Sequence, residues 1–172
     1  MNKILKHYIK HIIHEARCGC GKICEFDDKC KTKPCAQQVK ENSHSNARAA
    51  GIVIFKDFDN IKKVLVLHSN KGPDLPKGRI QKNEQPFNCA IRETLEETGI
   101  NDLSFVMGKR SIIIDKCQMY CATTNKEPIL SKNPGTGKLE HYSYEWCEPH
   151  AAAQKLPSYL AKAVKWAINH IH

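Results

Sequence analysis

Three glutamates close together in the chain, Glu93, Glu96 and Glu97, are the residues whose type and spacing best suit chemistry. On a helix that turns by about 100° per residue, their side chains lie within about 100° of one another. Like charges at this spacing destabilise a helix by about 0.2–0.5 kcal/mol per pair, so helix stability does not explain the arrangement. A hard divalent cation such as Mg²⁺, which prefers oxygen ligands, would explain it. The alternative interpretation is a solvated acidic helix face.

The loop that precedes these glutamates is basic and contains glycines. Its relevant residues are Lys71, Gly72, Lys77, Gly78, Arg79 and Lys82. Basic side chains suit phosphate oxygens, and glycine lets the backbone approach a ligand closely. A basic loop beside an acidic metal-binding face is what catalysis on a charged phosphate ester or anhydride requires. The residues by themselves therefore predict a metal-dependent phosphohydrolase.

The segment from Gly78 to Ile100 also resembles the Nudix box, G-x5-E-x7-R-E-U-x-E-E-x-G-U, in which U is aliphatic. The matching residues are Gly78, Glu84, Arg92, Glu93, Glu96, Glu97, Gly99 and Ile100. Thr94 stands where the family usually has an aliphatic residue. Because Thr94 falls on the apolar side of the helix, this departure concerns local packing and not chemistry. The resemblance extends over residues 48–172, which we expect to form a Nudix hydrolase domain.

The resemblance implies an α/β/α sandwich around a mixed sheet. It also implies Mg²⁺- or Mn²⁺-dependent hydrolysis of a nucleoside diphosphate linked to another group, by attack of water on phosphorus. In such an enzyme Glu93, Glu96 and Glu97 would be the metal ligands. Glu93 would also orient or deprotonate the water, and Gly99 would be a structural residue of the box.

The loop residues acquire roles from the same resemblance. Arg92 and Glu84 are similar to the pair that holds the loop against the helix, with Arg92 counted among the catalytic residues. Lys77, Gly78 and Arg79 are similar to phosphate-binding residues, and a plain solvated loop is the alternative interpretation. The same loop resembles that of mRNA-decapping and inositol-pyrophosphate members of the family, so it does not separate these substrates.

A second stretch, EHYSYEW at residues 140–146, is similar to one found in asymmetric diadenosine tetraphosphate hydrolases of the family. By this resemblance, Glu140 would supply a further carboxylate that completes a metal shell or acts as general base. Tyr144 would stack on a nucleobase. The alternatives are a surface glutamate and a half-buried tyrosine, and Trp146 is expected in the core.

The elements that position these residues can be predicted from local patterns. Runs rich in β-branched residues indicate strands at residues 51–55 and 64–67. A helix is expected over Pro86–Thr98, with proline in its first turn and glycine directly after its end. Further strands are expected at residues 105–115, 118–122 and 141–146, and a C-terminal helix packs its apolar stripe from Leu160 to Ile171 on the core. The pattern predicts a mixed α/β layer fold.

Residues 1–47 form a separate basic, Cys/His-rich extension. A basic amphipathic helix is predicted at residues 4–13. The cysteines that follow, Cys18, Cys20, Cys24, Cys30 and Cys35, are enough for a structural Zn²⁺ site, although their spacing matches no common zinc-finger pattern. The alternatives are a loosely docked or disordered extension, disulfide or redox chemistry, phosphate contacts to RNA, and a mitochondrial presequence that is unusually rich in lysine.

Composition excludes several classes of protein. With 172 residues, 41% of them hydrophobic, the chain can form one domain with a short extension. It has no run of about 18 apolar residues, so we expect no membrane span. The nine cysteines are an odd number, and lysines and histidines interrupt the N-terminus. Both features argue against secretion and predict a cytoplasmic protein.

The leading functional hypothesis is therefore a Nudix enzyme that cleaves the pyrophosphate linkage of a dinucleoside polyphosphate. An RNA 5′-end pyrophosphohydrolase or mRNA-decapping enzyme is the alternative with the same chemistry, suggested by the net charge of +9 and the basic extension. A catalytically silent nucleotide- or RNA-binding module is the alternative of another class. The intact set of glutamates argues against this last hypothesis.

Overall fold

The structure, a computed structural model, describes residues 46–133 and 137–171, and the helix, the zinc ligands and the RNA contacts predicted for the extension lie outside them. The described residues form seven strands and three helices. The strands are β1 (Ala49–Phe58), β2 (Ile61–Ser69), β3 (Gly72–Asp74), β4 (Lys77–Arg79), β5 (Ile112–Ile114), β6 (Cys117–Thr123) and β7 (Ser143–Cys147). The helices are α1 (Pro86–Thr98), α2 (Pro149–Lys155) and α3 (Ser158–Ile168).

The strands form one mixed sheet with β1 near its centre. The strand order is β3-β2-β1-β6-β5, while β4 pairs with β1 and β7 pairs with β2. Only the β1–β6 pair is parallel among the strand pairs of the described residues. The register places Ala50 of β1 opposite Gly78 of β4. The glycine of the predicted phosphate-binding loop is thereby fixed to the sheet by backbone pairing.

Helices cover both faces of this sheet. One face carries an apolar cluster that packs against α2 and α3 and includes Val53, Val66, Met119, Leu160 and Val164. Since side chains alternate along a strand, the neighbouring residues point to the other face. There the ring of Tyr120 lies 5.1 Å from the ring of Phe87 in α1. The architecture is the α/β/α sandwich expected from the sequence.

Helix α1 has the bounds that its terminal residues predicted. Pro86 occupies the first turn, and Gly99 ends the helix with a left-handed φ of 66°. The Gly99 N–H donates to the Leu95 carbonyl at 2.9 Å, which satisfies one of the last carbonyls of the helix. Thr94 is fully buried, as its position on the apolar side predicted. Its hydroxyl oxygen has no hydrogen-bond partner among the described residues.

The strand predicted for residues 105–115 is largely wrong. Only Ile112–Ile114 form a strand, and Ser104 makes an isolated bridge to Thr123. Gly108 adopts a φ of 59° and its N–H donates to the Phe105 carbonyl at 2.9 Å, so a turn interrupts the run. Conversely, the glycine- and proline-containing loop before α1 includes the two short strands β3 and β4, which pattern alone did not predict.

The cysteines of the described residues belong to the core. Cys89, Cys117, Cys121 and Cys147 are buried free thiols. Burial raises the pKa of each one, so the neutral thiol is favoured and these residues act as small apolar side chains. In the part of the chain described, no helix has the length and apolar character needed to cross a bilayer.

Candidate active site

Arg92 joins α1 to the loop that precedes it. Its side chain is almost fully buried, and its Nε and Nη2 donate to the two carboxylate oxygens of Glu84 at 2.8 and 2.9 Å. Nη2 also donates to the Arg79 carbonyl at 3.1 Å. Glu84 in turn accepts the Gln81 N–H at 2.9 Å. Burial alone would raise the pKa of Glu84, but the bonds to Arg92 lower it, so the pair is ionised and holds the loop in place.

The same guanidinium also binds two of the three predicted metal ligands. Arg92 Nη1 donates to one carboxylate oxygen of Glu93 at 2.7 Å and to one of Glu96 at 3.0 Å. Burial raises the pKa of Glu93 despite this contact, and repulsion from Glu96 and Glu140 adds to the effect. Arg92 therefore orients these carboxylates without fully neutralising them.

Glu97, the third predicted metal ligand, contacts the loop that precedes α1. Its carboxylate accepts the backbone N–H of Lys77 at 3.2 Å. Burial raises the pKa of Glu97 to about 9, and the charges of Glu93 and Asp74 contribute to the increase. The contact and charge of Lys77 oppose this change but do not reverse it. Burial is thus the main reason that the charged form of Glu97 is disfavoured, and a bound cation would favour that charged form.

Gly78 is required by its contact with Glu93. A Cβ at residue 78 would lie only 2.1–2.3 Å from the carboxylate atoms of Glu93. No real Cβ contact is that short, so any larger residue would displace this carboxylate. The glycine therefore has a structural reason to be present in addition to the phosphate contact predicted for it, which stays a prediction.

Lys77 and Arg79 occupy different environments within the loop. Lys77 Nζ donates to Asp74 Oδ2 at 2.8 Å. Burial alone would lower the pKa of Lys77, but the Asp74 carboxylate raises it. Arg79 is exposed, and its carbonyl accepts from Arg92. Sequence reasoning missed Asp74, although it is the only acidic residue between residues 70 and 80. Phosphate binding by the two basic side chains stays a prediction.

Glu140 lies close enough to the glutamates of α1 to influence them. Its charge contributes to the raised pKa of Glu93. The side chain is exposed, and its Oε1 accepts from Asn133 Nδ2 at 2.7 Å. Glu140 therefore contributes to the electrostatics of the acidic site from a separate part of the chain. Its role as metal ligand or general base stays a prediction.

Tyr144 is held in place by a residue that sequence reasoning missed. Its hydroxyl donates to Glu127 Oε2 at 3.3 Å, and Trp146 Nε1 donates to the same oxygen at 2.7 Å. Lys56 forms an ion pair with the other oxygen of this carboxylate. Trp146 is half-buried and packs against Phe58, with ring centroids 5.8 Å apart. No local signal identifies Glu127, because its partners lie in distant strands.

The donor atoms of this site are of the type that binds a divalent cation. Carboxylate oxygens are the ligands that Mg²⁺ and Mn²⁺ prefer, and a cation would offset the effect of burial on the charged form of Glu97. Glu93, Glu96 and Glu97 would hold the ion, with Glu140 nearby. Within residues 46–133 and 137–171, no three His, Cys, Asp or Glu side chains already stand in ligand positions. When bound, such a cation neutralises substrate charge and lowers the pKa of a water molecule.

The candidate site is thus an acidic helix face that Arg92 joins to a glycine-containing loop, within an α/β/α sandwich. A family model described as the NUDIX domain matches residues 45–167. The chain belongs to the Nudix family, and the protein is a pyrophosphohydrolase of that family.

Solved structures of Nudix proteins have the same fold. The Ap4A hydrolase of C. elegans, in a binary complex, is 22% identical, with a TM-score of 0.57 over 69% of this chain and 93% of that chain. The dihydroneopterin triphosphate pyrophosphohydrolase of E. coli is 19% identical, with a TM-score of 0.53 over 70% and 94%. A hydrolase of the NUDIX family from Clostridium perfringens is 19% identical, with a TM-score of 0.50 over 70% and 93%. At these identities the similarity establishes the fold.

Proposed function

We propose that this enzyme hydrolyses a pyrophosphate linkage of a dinucleoside polyphosphate, with Mg²⁺ or Mn²⁺ as cofactor. The observation that carries the proposal is the arrangement of the three glutamates of α1, in which Arg92 Nη1 binds Glu93 and Glu96 and the Lys77 N–H binds Glu97. A cation bound there would stabilise the ionised form of these clustered carboxylates. A polyphosphate bound through that cation would lie beside the loop of Lys77 and Arg79.

The residues of α1 have distinct roles in this proposal. Glu93 is the residue that orients the attacking water, because its buried carboxylate has a raised pKa and so accepts a proton more readily. Arg92 fixes Glu93 and Glu96 in position through Nη1. Glu140 is the second candidate for the general base. It belongs to a different part of the chain, and its charge contributes to the raised pKa of Glu93.

Strand register supports a nucleoside site beside the phosphate site. Tyr144 pairs with Leu67, and Leu67 pairs with Asp74 on its other side. Directly paired residues share a sheet face, and neighbouring strands are about 4.8 Å apart, so Tyr144 and Asp74 are separated by about 10 Å on one face. A base stacked on Tyr144 would therefore extend its phosphates towards Asp74 and the acidic cluster. The Ap4A hydrolase of C. elegans shares this fold, which agrees with such a substrate.

A substrate panel tests the proposal. The full chain is incubated with Mg²⁺ and diadenosine polyphosphates, triphosphorylated RNA, capped RNA and inositol pyrophosphates, and the products are identified. We expect diadenosine polyphosphates to be cleaved with a kcat/KM at least about ten-fold above that of any other member. Chelation of the metal and the substitution Glu97→Gln should both abolish this activity.

The same panel distinguishes the alternative. Faster cleavage of capped or triphosphorylated RNA would replace the dinucleoside proposal by an RNA 5′-end hydrolase, in which the basic extension contacts phosphates. No turnover of any member, with Mg²⁺ bound, would refute the proposed substrate classes altogether.

A further inference from the structure

His141, which follows Glu140 directly, is one of three described residues that have a buried side-chain atom without a hydrogen-bond partner, together with Thr94 and Gln118. It is 6% exposed, and its Nδ1 is buried without a hydrogen-bond partner among the described residues. The other histidines in the described ranges differ from it. His68 Nε2 lies 2.9 Å from Glu145, His150 Nε2 lies 3.2 Å from Gln154, and His170 Nδ1 lies 2.8 Å from the Trp166 carbonyl.

His141 belongs to the same electrostatic environment as the acidic site. The charges of Asp74, Glu140 and Lys77 all act on its imidazole, so these groups lie nearby. Each has a partner of its own. Lys77 Nζ and the Leu75 N–H donate to the two oxygens of Asp74, and Asn133 donates to Glu140. The unpartnered nitrogen thus lies among groups that the chain already uses in other contacts.

A buried polar atom without a partner destabilises the folded state, and such atoms are rare in proteins. An apolar side chain of similar size would fill the same position without this penalty. The imidazole is therefore better explained by a partner that is absent from the free enzyme. Because the surrounding groups belong to the hydrolase site, the partner that fits is an oxygen atom of the bound substrate.

We propose that His141 is a substrate-binding residue whose Nδ1–H donates a hydrogen bond to a phosphate oxygen of the polyphosphate. This inference rests on the proposed function and adds a contact to it. An imidazole N–H suits this position, since it can be donated to an anionic oxygen. It also adds a donor to those of Lys77, whose ammonium already uses one N–H in its bond to Asp74.

Three substitutions separate this role from a structural one. His141→Asn keeps a polar atom at the same bond distance from Cα as Nδ1, His141→Gln places its amide one bond farther out, and His141→Phe retains a ring without nitrogen. We expect His141→Asn to keep KM for a diadenosine polyphosphate within about three-fold of the wild type. His141→Phe should raise KM at least ten-fold, and His141→Gln should resemble it.

Thermal stability is the second measurement. Since Nδ1 has no partner in the free enzyme, His141→Phe should melt at or above the wild-type temperature while it binds substrate more weakly. Calorimetric titration with a non-hydrolysable methylene analogue of the polyphosphate should show the same loss of affinity, independently of turnover.

Each outcome decides between the possibilities. An unchanged KM in His141→Phe, with wild-type enzyme that cleaves polyphosphates, would overturn the inference and leave the proposed function intact. A lower melting temperature in all three variants, without a change in KM, would show that Nδ1 binds only a buried water or a protein group, and would also overturn it. A wild-type enzyme that cleaves no polyphosphate would refute the proposed function itself.

Discussion

The burial of Glu97, which raises its pKa, predicts an unusual pH dependence of stability in the metal-free protein. The pKa of Glu97 is raised from 4.5 to about 9 in the folded state, so over this interval the folded protein holds a proton that the unfolded protein releases. Stability contributed by a group of this kind is lost as pH rises. Glu97 should therefore destabilise the metal-free fold progressively between about pH 5 and pH 9.

The size of this change in the free energy of unfolding follows from the binding of one proton. A difference of one bound proton changes the free energy of unfolding by about 1.4 kcal/mol per pH unit. Between about pH 5.5 and 8.5 the wild type should thus lose about 4 kcal/mol relative to Glu97→Gln. For a chain of this size the difference corresponds to roughly 8–16 °C in Tm. The glutamine keeps an oxygen that can accept the Lys77 N–H, so the variant changes charge and retains the contact.

The assay is thermal and urea unfolding in EDTA across this pH range, for the wild type, Glu97→Gln and the exposed control Glu148→Gln. We expect the control to follow the wild type and Glu97→Gln to diverge from both as pH rises. Adding Mg²⁺ should stabilise the wild type more at high pH, because the cation binds the ionised carboxylate. Parallel curves for the wild type and Glu97→Gln would refute the electrostatic account of the site.

Three further substitutions test other parts of the structure. Arg92→Met removes one partner of a buried ion pair and should lower the free energy of unfolding by about 3–5 kcal/mol, measured in urea. Arg110→Met, at an exposed position, is the control. An equally small loss of stability in both variants would contradict the anchoring role of Arg92. Gly78→Ala should leave the fold intact, because the flexible carboxylate of Glu93 can move. The displaced carboxylate should nevertheless reduce kcat at least about 100-fold in a steady-state assay. A near-normal kcat would show that the position of Glu93 is unimportant. Tyr144→Leu should raise KM for a dinucleoside polyphosphate by about 5- to 150-fold, because it removes the ring on which a base would stack. Tyr144→Phe keeps the ring and should leave KM unchanged. Equal effects of the two substitutions on KM would show that no base stacks on this ring.

Most of the fold could be predicted from the sequence because its signals are local. The bounds of α1 follow from Pro86 and Gly99, and the runs in β1 and β2 consist of consecutive buried residues. The strand predicted at residues 105–115 failed because the turn at Gly108 depends on one residue with positive φ within an otherwise apolar run. The strands β3 and β4 are too short for a period and exist through their pairing with neighbouring strands.

The acidic site was only partly predictable for a related reason. Helical periodicity places Glu93, Glu96 and Glu97 on one face, and a single helix suffices for that prediction. The ion pair between Asp74 and Lys77 and the burial of His141 depend on how distant segments meet. The periodicity of the sequence carries no information about contacts between distant segments, so these contacts are seen only in the folded structure.

The central claim is that Glu93, Glu96 and Glu97 bind the divalent cation that the hydrolase uses. Diffraction from crystals of the full chain soaked in Mn²⁺ tests it most directly, with anomalous scattering used to locate the ion. We predict an anomalous peak in contact with oxygens of these carboxylates, at about the 2.0–2.2 Å distance typical of small divalent cations, and its loss in Glu97→Gln. A peak elsewhere in an enzyme whose turnover requires Mn²⁺, with none at the three glutamates, would contradict the account.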